Sequence, residues 1–116
     1  MVKKWDVWFL DLDPTKGSEQ QGKRPVLVIS NNAVNDNLPV FTCIPFSSVK
    51  PDTKIYPTEV FVSTEDSGLP RDSVLMLQQI RTVSIDRLYG TKVSSITNTE
   101  IIKKINSALI AYFELD

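Results

Sequence analysis

The densest run of chemically capable side chains is DPTKGSEQQGKRP, residues 13–25, which carries Ser18, Glu19, Gln20, Gln21, Lys23 and Arg24 between two apolar runs. A polar loop on a rigid scaffold is either a place for binding groups or a plain solvated connection, and the residues alone leave both open. Lys16, Lys23 and Arg24 have only Glu19 among them, so the loop offers the local positive charge that a small nucleic-acid site uses. Its glycines do not make a phosphate loop, because neither the Walker spacing nor the order of strand, Gly-rich turn and helix is present. Nucleophile triads of the usual kind need a histidine base, and the chain has no His. Cys43, the single cysteine, sits between Phe41 and Ile44 and reads as a buried thiol. Trp5 and Trp8 are able to stack on bases, but aromatic residues in a first strand more often pack.

The bulk properties narrow the classes. At 116 residues, with 41% hydrophobic and 23% charged residues, the chain is expected to form one folded domain, 1–116. A net charge of -1 argues against a protein that coats duplexes by neutralising phosphate, though it leaves a small local site possible. One cysteine and no histidine leave no internal disulfide and no Cys/His metal cluster, so no metal or cofactor is expected. The apolar stretch from Val7 to Leu10 is too short for a signal peptide or membrane span, and a reducing cytoplasm is the expected location.

The elements that must position the polar loop are mostly strands. Val7–Leu12 and PVLVIS, residues 25–30, read as strands on either side of it, the second covered on both faces. Asn31 to Asn37 supply turn chemistry. Pro39–Phe46 reads as a third strand, limited by Pro45 to an edge, a bulge or a termination. Ile55–Val62, Ser73–Ile80 and Leu88–Val93 complete the set. Ile101, Ile105, Ala108, Leu109 and Tyr112 recur at helical spacing behind a Thr97 to Glu100 capping box. The pattern predicts a mainly β domain, a small barrel or sandwich closed by one C-terminal helix.

Three blocks now carry a family resemblance. DLDPTKGSEQQGKRPVLVIS, residues 11–30, resembles the signature of MazF/PemK toxins. CIPFSS, residues 43–48, and DSVLMLQQIRT, residues 72–82, resemble two further blocks in the same order. The resemblance implies an SH3-like or CcdB-like barrel, a homodimer, and cleavage of single-stranded RNA without a metal. Arg24 falls on the arginine of the family's RPVLVI block. Ser47 falls where the family usually has threonine, which keeps the hydroxyl. Ser18 stands where some PemK relatives carry His, and Gln78 where Asp or Glu is common; both departures weaken an acid/base role carried over to them.

On this resemblance Arg24, Ser47 and Glu19 are the expected catalytic residues. Arg24 suits a phosphate held bidentately, and its high pKa makes it a poor general base. Glu19 is either the proton acceptor or a structural ion-pair partner of Arg24 or Lys23. Lys16, Ser18, Gln20, Lys23, Ser48, Gln78 and Arg81 are the expected RNA contacts. Residues 31–38 and 49–54 are variable loops in which base preference would reside. The implied products carry a 2′,3′-cyclic phosphate and a 5′-hydroxyl, and the implied partner is an acidic, MazE-like antitoxin lying beside Lys16, Lys23 and Arg24. Two rival readings are a CcdB-like toxin that binds a protein such as gyrase without catalysis, and an inactive relative kept for antitoxin binding.

Overall fold

β-Branched and aliphatic residues dominate the two runs that flank the polar loop, and they pair with each other. The computed structural model describes residues 1–13, 16–19 and 22–115. Strand β1 (Asp6–Asp11) lies antiparallel to β2 (Lys23–Val28), with Val7 opposite Leu27 and Asp11 opposite Lys23. β2 lies antiparallel to β3 (Val40–Ser48), with Leu27 opposite Ile44. Side chains alternate across a strand, so Val7, Leu27 and Ile44 enter one core while Leu10, Val26, Val28 and Cys43 enter another. The expectation that PVLVIS is covered on both faces is met. Trp5 packs against the first core and Trp8 against the second.

The rest of the sheet grows outward from β3 and β1. β4 (Glu59–Val62) pairs with β5 (Ser73–Met76), β5 and β6 (Arg81–Ser84) both pair with β3, and β7 (Leu88–Ser95) pairs with β1. All seven strands are antiparallel, in the order β4-β5-β3-β2-β1-β7 with β6 beside β3. The mainly β class is as expected. Among the described residues no ladder joins β4 to β7, so "barrel" is a loose word for a seven-stranded sheet with a core on each face.

Several boundaries differ from the sequence pattern, each for a local reason. Pro45 lies inside β3 rather than at its end: β6 stops opposite Cys43 and β5 begins opposite Phe46, so that edge asks no ladder bond of the missing N–H. The run from Ser73 is cut after Met76 by a 3-10 turn at Leu77–Gln79, which redirects the chain into β6, a strand the sequence pattern did not single out. The strand expected from Ile55 starts only at Glu59, because Tyr56 C=O accepts the Glu59 N–H at 2.9 Å in a preceding turn. Residues 31–37 are not merely a turn. Asn31 caps a short helix, α1 (Asn32–Asn37), its Oδ1 accepting the Val34 N–H at 3.0 Å. After α2 (Thr64–Ser67), the last helix is α3 (Thr99–Phe113). Its cap is Asn98, whose Oδ1 accepts the Glu100 N–H at 3.0 Å, one residue later than the expected capping box. α3 buries Ile105 in the first core with Ile101, Ile102, Ala108 and Leu109 beside it.

Candidate functional site

The β2–β3 ladder ends at Val26 opposite Pro45. Beyond it, β2 stays with β1, pairing Arg24 to Leu10, while β3 continues with β5, pairing Ser47 to Val74 and Ser48 to Ser73. A cavity of about 240 Å³ opens where the two strands lose each other. Phe9, Pro25 and Phe46 give it apolar walls, Arg24 and Ser48 stand at its strand edges, and Leu69, Pro70 and Arg71 close it from the loop before β5. Alternation turns Ser47 to the opposite face from Ser48, the face that Arg24 shares with Val26 and Pro45. Arg24 and Ser47 therefore share one face at the open end of the sheet, and Ser48 stands on the other.

A second cavity, about 340 Å³, is polar and lined by Glu19, Gln78, Gln79, Ile80, Arg81 and Thr82. The β1–β2 loop reaches it through a tight turn in which Glu19 Oε1 accepts the Lys16 N–H at 2.6 Å and the Glu19 N–H donates to Lys16 C=O at 3.1 Å. Gln79 holds that turn in place, its Nε2 donating to Ser18 C=O at 3.0 Å. At the loop base, Arg87 Nη1 donates to the carbonyls of Asp11 at 3.0 Å and Asp13 at 2.7 Å. Gln78 accepts from Thr58 Oγ1 at 3.1 Å and donates weakly to Glu59 at 3.5 Å, so its amide is tied to the neighbouring turn.

The expected site residues thus divide into two groups. Arg24 and Ser48 share the first cavity, with Ser47 beside them on β3. Glu19, Gln78 and Arg81 share the second, with Lys16 and Ser18 on the adjoining exposed turn. Lys23 follows neither group: its Nζ lies 5.0 Å from the centroid of the Tyr89 ring, and among the described residues it forms no ion pair with Glu19. Gln20 lies outside the described residues. Phe9, Leu69, Pro70, Arg71, Ser73, Gln79 and Thr82 also line the cavities and were not singled out from sequence. Arg71, which directly precedes the DSVLM block, is the sequence feature from which the closing loop could have been found.

Cys43 is fully buried opposite Arg81. Loss of hydration on burial pushes its thiol up to about 12, with the Arg81 guanidinium pulling partly the other way. The thiolate is the reactive form. Iodoacetamide at pH 8 is therefore expected to leave Cys43 unmodified in the folded protein over a period that labels urea-unfolded protein completely. Equal labelling rates in the two states would contradict the burial argument.

The first cleft thus sets two arginines and two serine hydroxyls among apolar walls, on a small antiparallel β protein that ends in one helix. The sequence matches the PemK-like, MazF-like toxins of type II toxin-antitoxin systems over residues 3–113, and the chain belongs to that family. It is 39% identical over 109 residues to Endoribonuclease EndoA of Bacillus subtilis, covering 94% of this chain and 91% of that one. It is 35% identical over 109 residues to Endoribonuclease MazF of Staphylococcus saprophyticus, covering 94% and 88% respectively. The fold is shared with MazF from Deinococcus radiodurans, with a TM-score of 0.79 at 21% identity over 97% of this chain and 96% of that one. It is shared too with a mycobacterial endoribonuclease solved in complex with its cognate antitoxin, with a TM-score of 0.78 at 24% identity over 100% and 98%.

Proposed function

We propose that this chain is the toxin of a type II toxin-antitoxin pair, a single-domain endoribonuclease that cuts single-stranded RNA using the substrate's own 2′-hydroxyl. The observation that carries the reading is the position of Arg24: it lines the mouth of the cleft with Ser48, on the strand face it shares with Ser47, in a chain 39% and 35% identical to relatives named endoribonucleases. The CcdB-like reading, a toxin that binds its target without catalysis, finds no support in these relatives.

The chemistry follows from what in-line attack requires. The 2′-oxygen forms a bond to phosphorus, the bond from phosphorus to the 5′-oxygen breaks, one proton leaves the 2′-hydroxyl and another reaches the departing 5′-oxygen. The products are a 2′,3′-cyclic phosphate and a 5′-hydroxyl. Arg24 holds the phosphate and stabilises the charge that develops on its equatorial oxygens. Ser47 hydrogen-bonds the phosphate or the attacking hydroxyl. Glu19 is the carboxylate nearest in sequence for the proton acceptor, but it lines the adjoining cavity, so that role requires RNA or the loop to bridge the two cavities. Lys16, Ser18, Gln20, Lys23, Ser48, Gln78 and Arg81 are read as RNA contacts around this centre.

The same reading makes the protein a cytoplasmic homodimer; no helix among the described residues is long and apolar enough to cross a membrane. Exposed Ile110, Phe113 and Leu115 near the end of α3 supply apolar surface that pairing of two copies would cover. An acidic antitoxin would compete with phosphate for Lys16, Lys23 and Arg24.

The serine assignment is tested by a pair of substitutions. Ser47→Ala is expected to lose most cleavage activity whereas Ser47→Thr retains much of it, because the role needs only the hydroxyl. Cleavage of a long RNA by purified Ser47→Ala protein at the wild-type rate would remove Ser47 from the centre.

A further inference from the structure

We infer that the 240 Å³ cavity between β2 and β3 is a base-binding subsite, which takes one unstacked nucleobase adjacent to the scissile phosphate while Arg71 holds that nucleotide's phosphate. The inference rests on the nuclease reading and deepens it.

Four observations carry it. The walls carry rings: Phe9, Pro25 and Pro70, with buried Phe46 behind them, are apolar residues of the kind on which a base packs once it is splayed out of a single strand. The cavity is small, below the roughly 300–1,000 Å³ of a typical site for a drug-sized ligand, and so suits a group of base size rather than a larger molecule. Besides Arg24 and Arg71, its polar groups are the hydroxyls of Ser48 and Ser73 on opposed strand residues, of which Ser73 remains able to accept a hydrogen bond. Ser73 Oγ also donates to Arg71 C=O at 3.1 Å, fastening the closing loop to β5.

The fourth observation concerns charge. Arg71 is exposed, and among the described residues its guanidinium has no hydrogen-bond or ion-pair partner. Its neighbour Asp72 is turned elsewhere, Oδ1 accepting the Thr64 N–H at 2.9 Å. The cavity therefore carries an uncompensated cation on its rim, which an exposed phosphate would meet with charge-assisted hydrogen bonds.

An acidic peptide with an apolar side chain would meet part of the same chemistry. RNA is favoured because the cavity shares Arg24, and the Ser47–Ser48 end of β3, with the proposed scissile centre. A strand held by its phosphate at Arg24 brings its neighbouring nucleotide to this cavity, where Arg71 meets the next phosphate.

The test uses the wild-type and Arg71→Ala proteins with a short RNA that contains a mapped cleavage site, carrying 2-aminopurine or an abasic ribonucleotide at each position flanking the cut. One flanking 2-aminopurine is expected to be quenched on binding to either protein, and Arg71→Ala is expected to need about tenfold more RNA to reach the same limiting quench. The abasic ribonucleotide at that same position should raise KM about tenfold with a much smaller change in kcat. Quenching at no position, an unchanged KM for the abasic RNA, or an Arg71→Ala protein that loses antitoxin binding while its KM for RNA is unchanged would overturn the inference. If wild-type protein does not cut the RNA at all, the nuclease reading fails, and the quenching titration on the uncut RNA still reports on the subsite independently.

Discussion

Arg24→Ala is expected to lower RNA cleavage about 100-fold or more, a loss of about 2.7–4 kcal/mol of transition-state stabilisation, while leaving the fold intact. The size follows from preorganisation. Arg24 is fixed on β2 opposite Leu10, within a strand whose interior residues are fully buried, so its guanidinium is presented by rigid backbone at the cleft mouth. The side chain itself is exposed, so truncating it removes charge without opening a core. Arg24→Lys should recover only part of the activity, because an ammonium cannot offer the planar fork that binds two phosphate oxygens at once. Single-turnover cleavage measured beside circular dichroism separates the two effects. An Arg24→Ala protein that cuts at the wild-type rate would remove the residue from the centre.

The largest stability effect is expected at Ile105, where substitution by Ala should cost about 2–5 kcal/mol. Ile105 is the one fully buried residue of α3. The helix is thus fastened to the first core by a single inserted side chain with half-buried neighbours around it, and truncation leaves a cavity that β4 and α3 cannot both close. Ser107→Ala, on the exposed side of the same helix, should change stability by less than about 0.5 kcal/mol. Urea unfolding of both variants checks this. A shift below about 1 kcal/mol for Ile105→Ala would mean that α3 contributes little to the folded state.

The parts of this molecule that were legible in the sequence are those encoded locally. Val26 to Ile29 announce a doubly covered strand, and Ile101, Ile105 and Ala108 announce a helix face, because periodicity reports burial directly. The three blocks were enough to pick out Arg24 and Ser47, and the structure turns both to one face at one end of the sheet. What was not legible depends on partners distant in the chain. β6 has only Val83 buried, and its strand character comes from pairing with β3, some forty residues earlier. Pro45 left an edge, a bulge and a termination all open because the change of partner along that edge of β3 cannot be seen from β3 alone. Gln79 looked like its neighbour Gln78, yet it reaches 61 residues back to hold Ser18. Arg71 lay in a loop without periodicity, and its place on the cavity rim emerges only once Phe9, Pro25 and Phe46 are brought against that loop.

If RNA is cut through the substrate's 2′-hydroxyl with Arg24 stabilising the phosphate, the 2′-oxygen on the 5′ side of the scissile bond is indispensable. The most direct measurement incubates purified protein in EDTA with a long RNA, maps the 5′ ends, and repeats the reaction on a short RNA carrying a single 2′-deoxy nucleotide 5′ to the mapped bond. Discrete cuts with 5′-hydroxyl and 2′,3′-cyclic phosphate ends are expected, and no cleavage at the deoxy position. Cleavage at an undiminished rate across the deoxy nucleotide, or 5′-phosphate ends, would contradict the 2′-hydroxyl route.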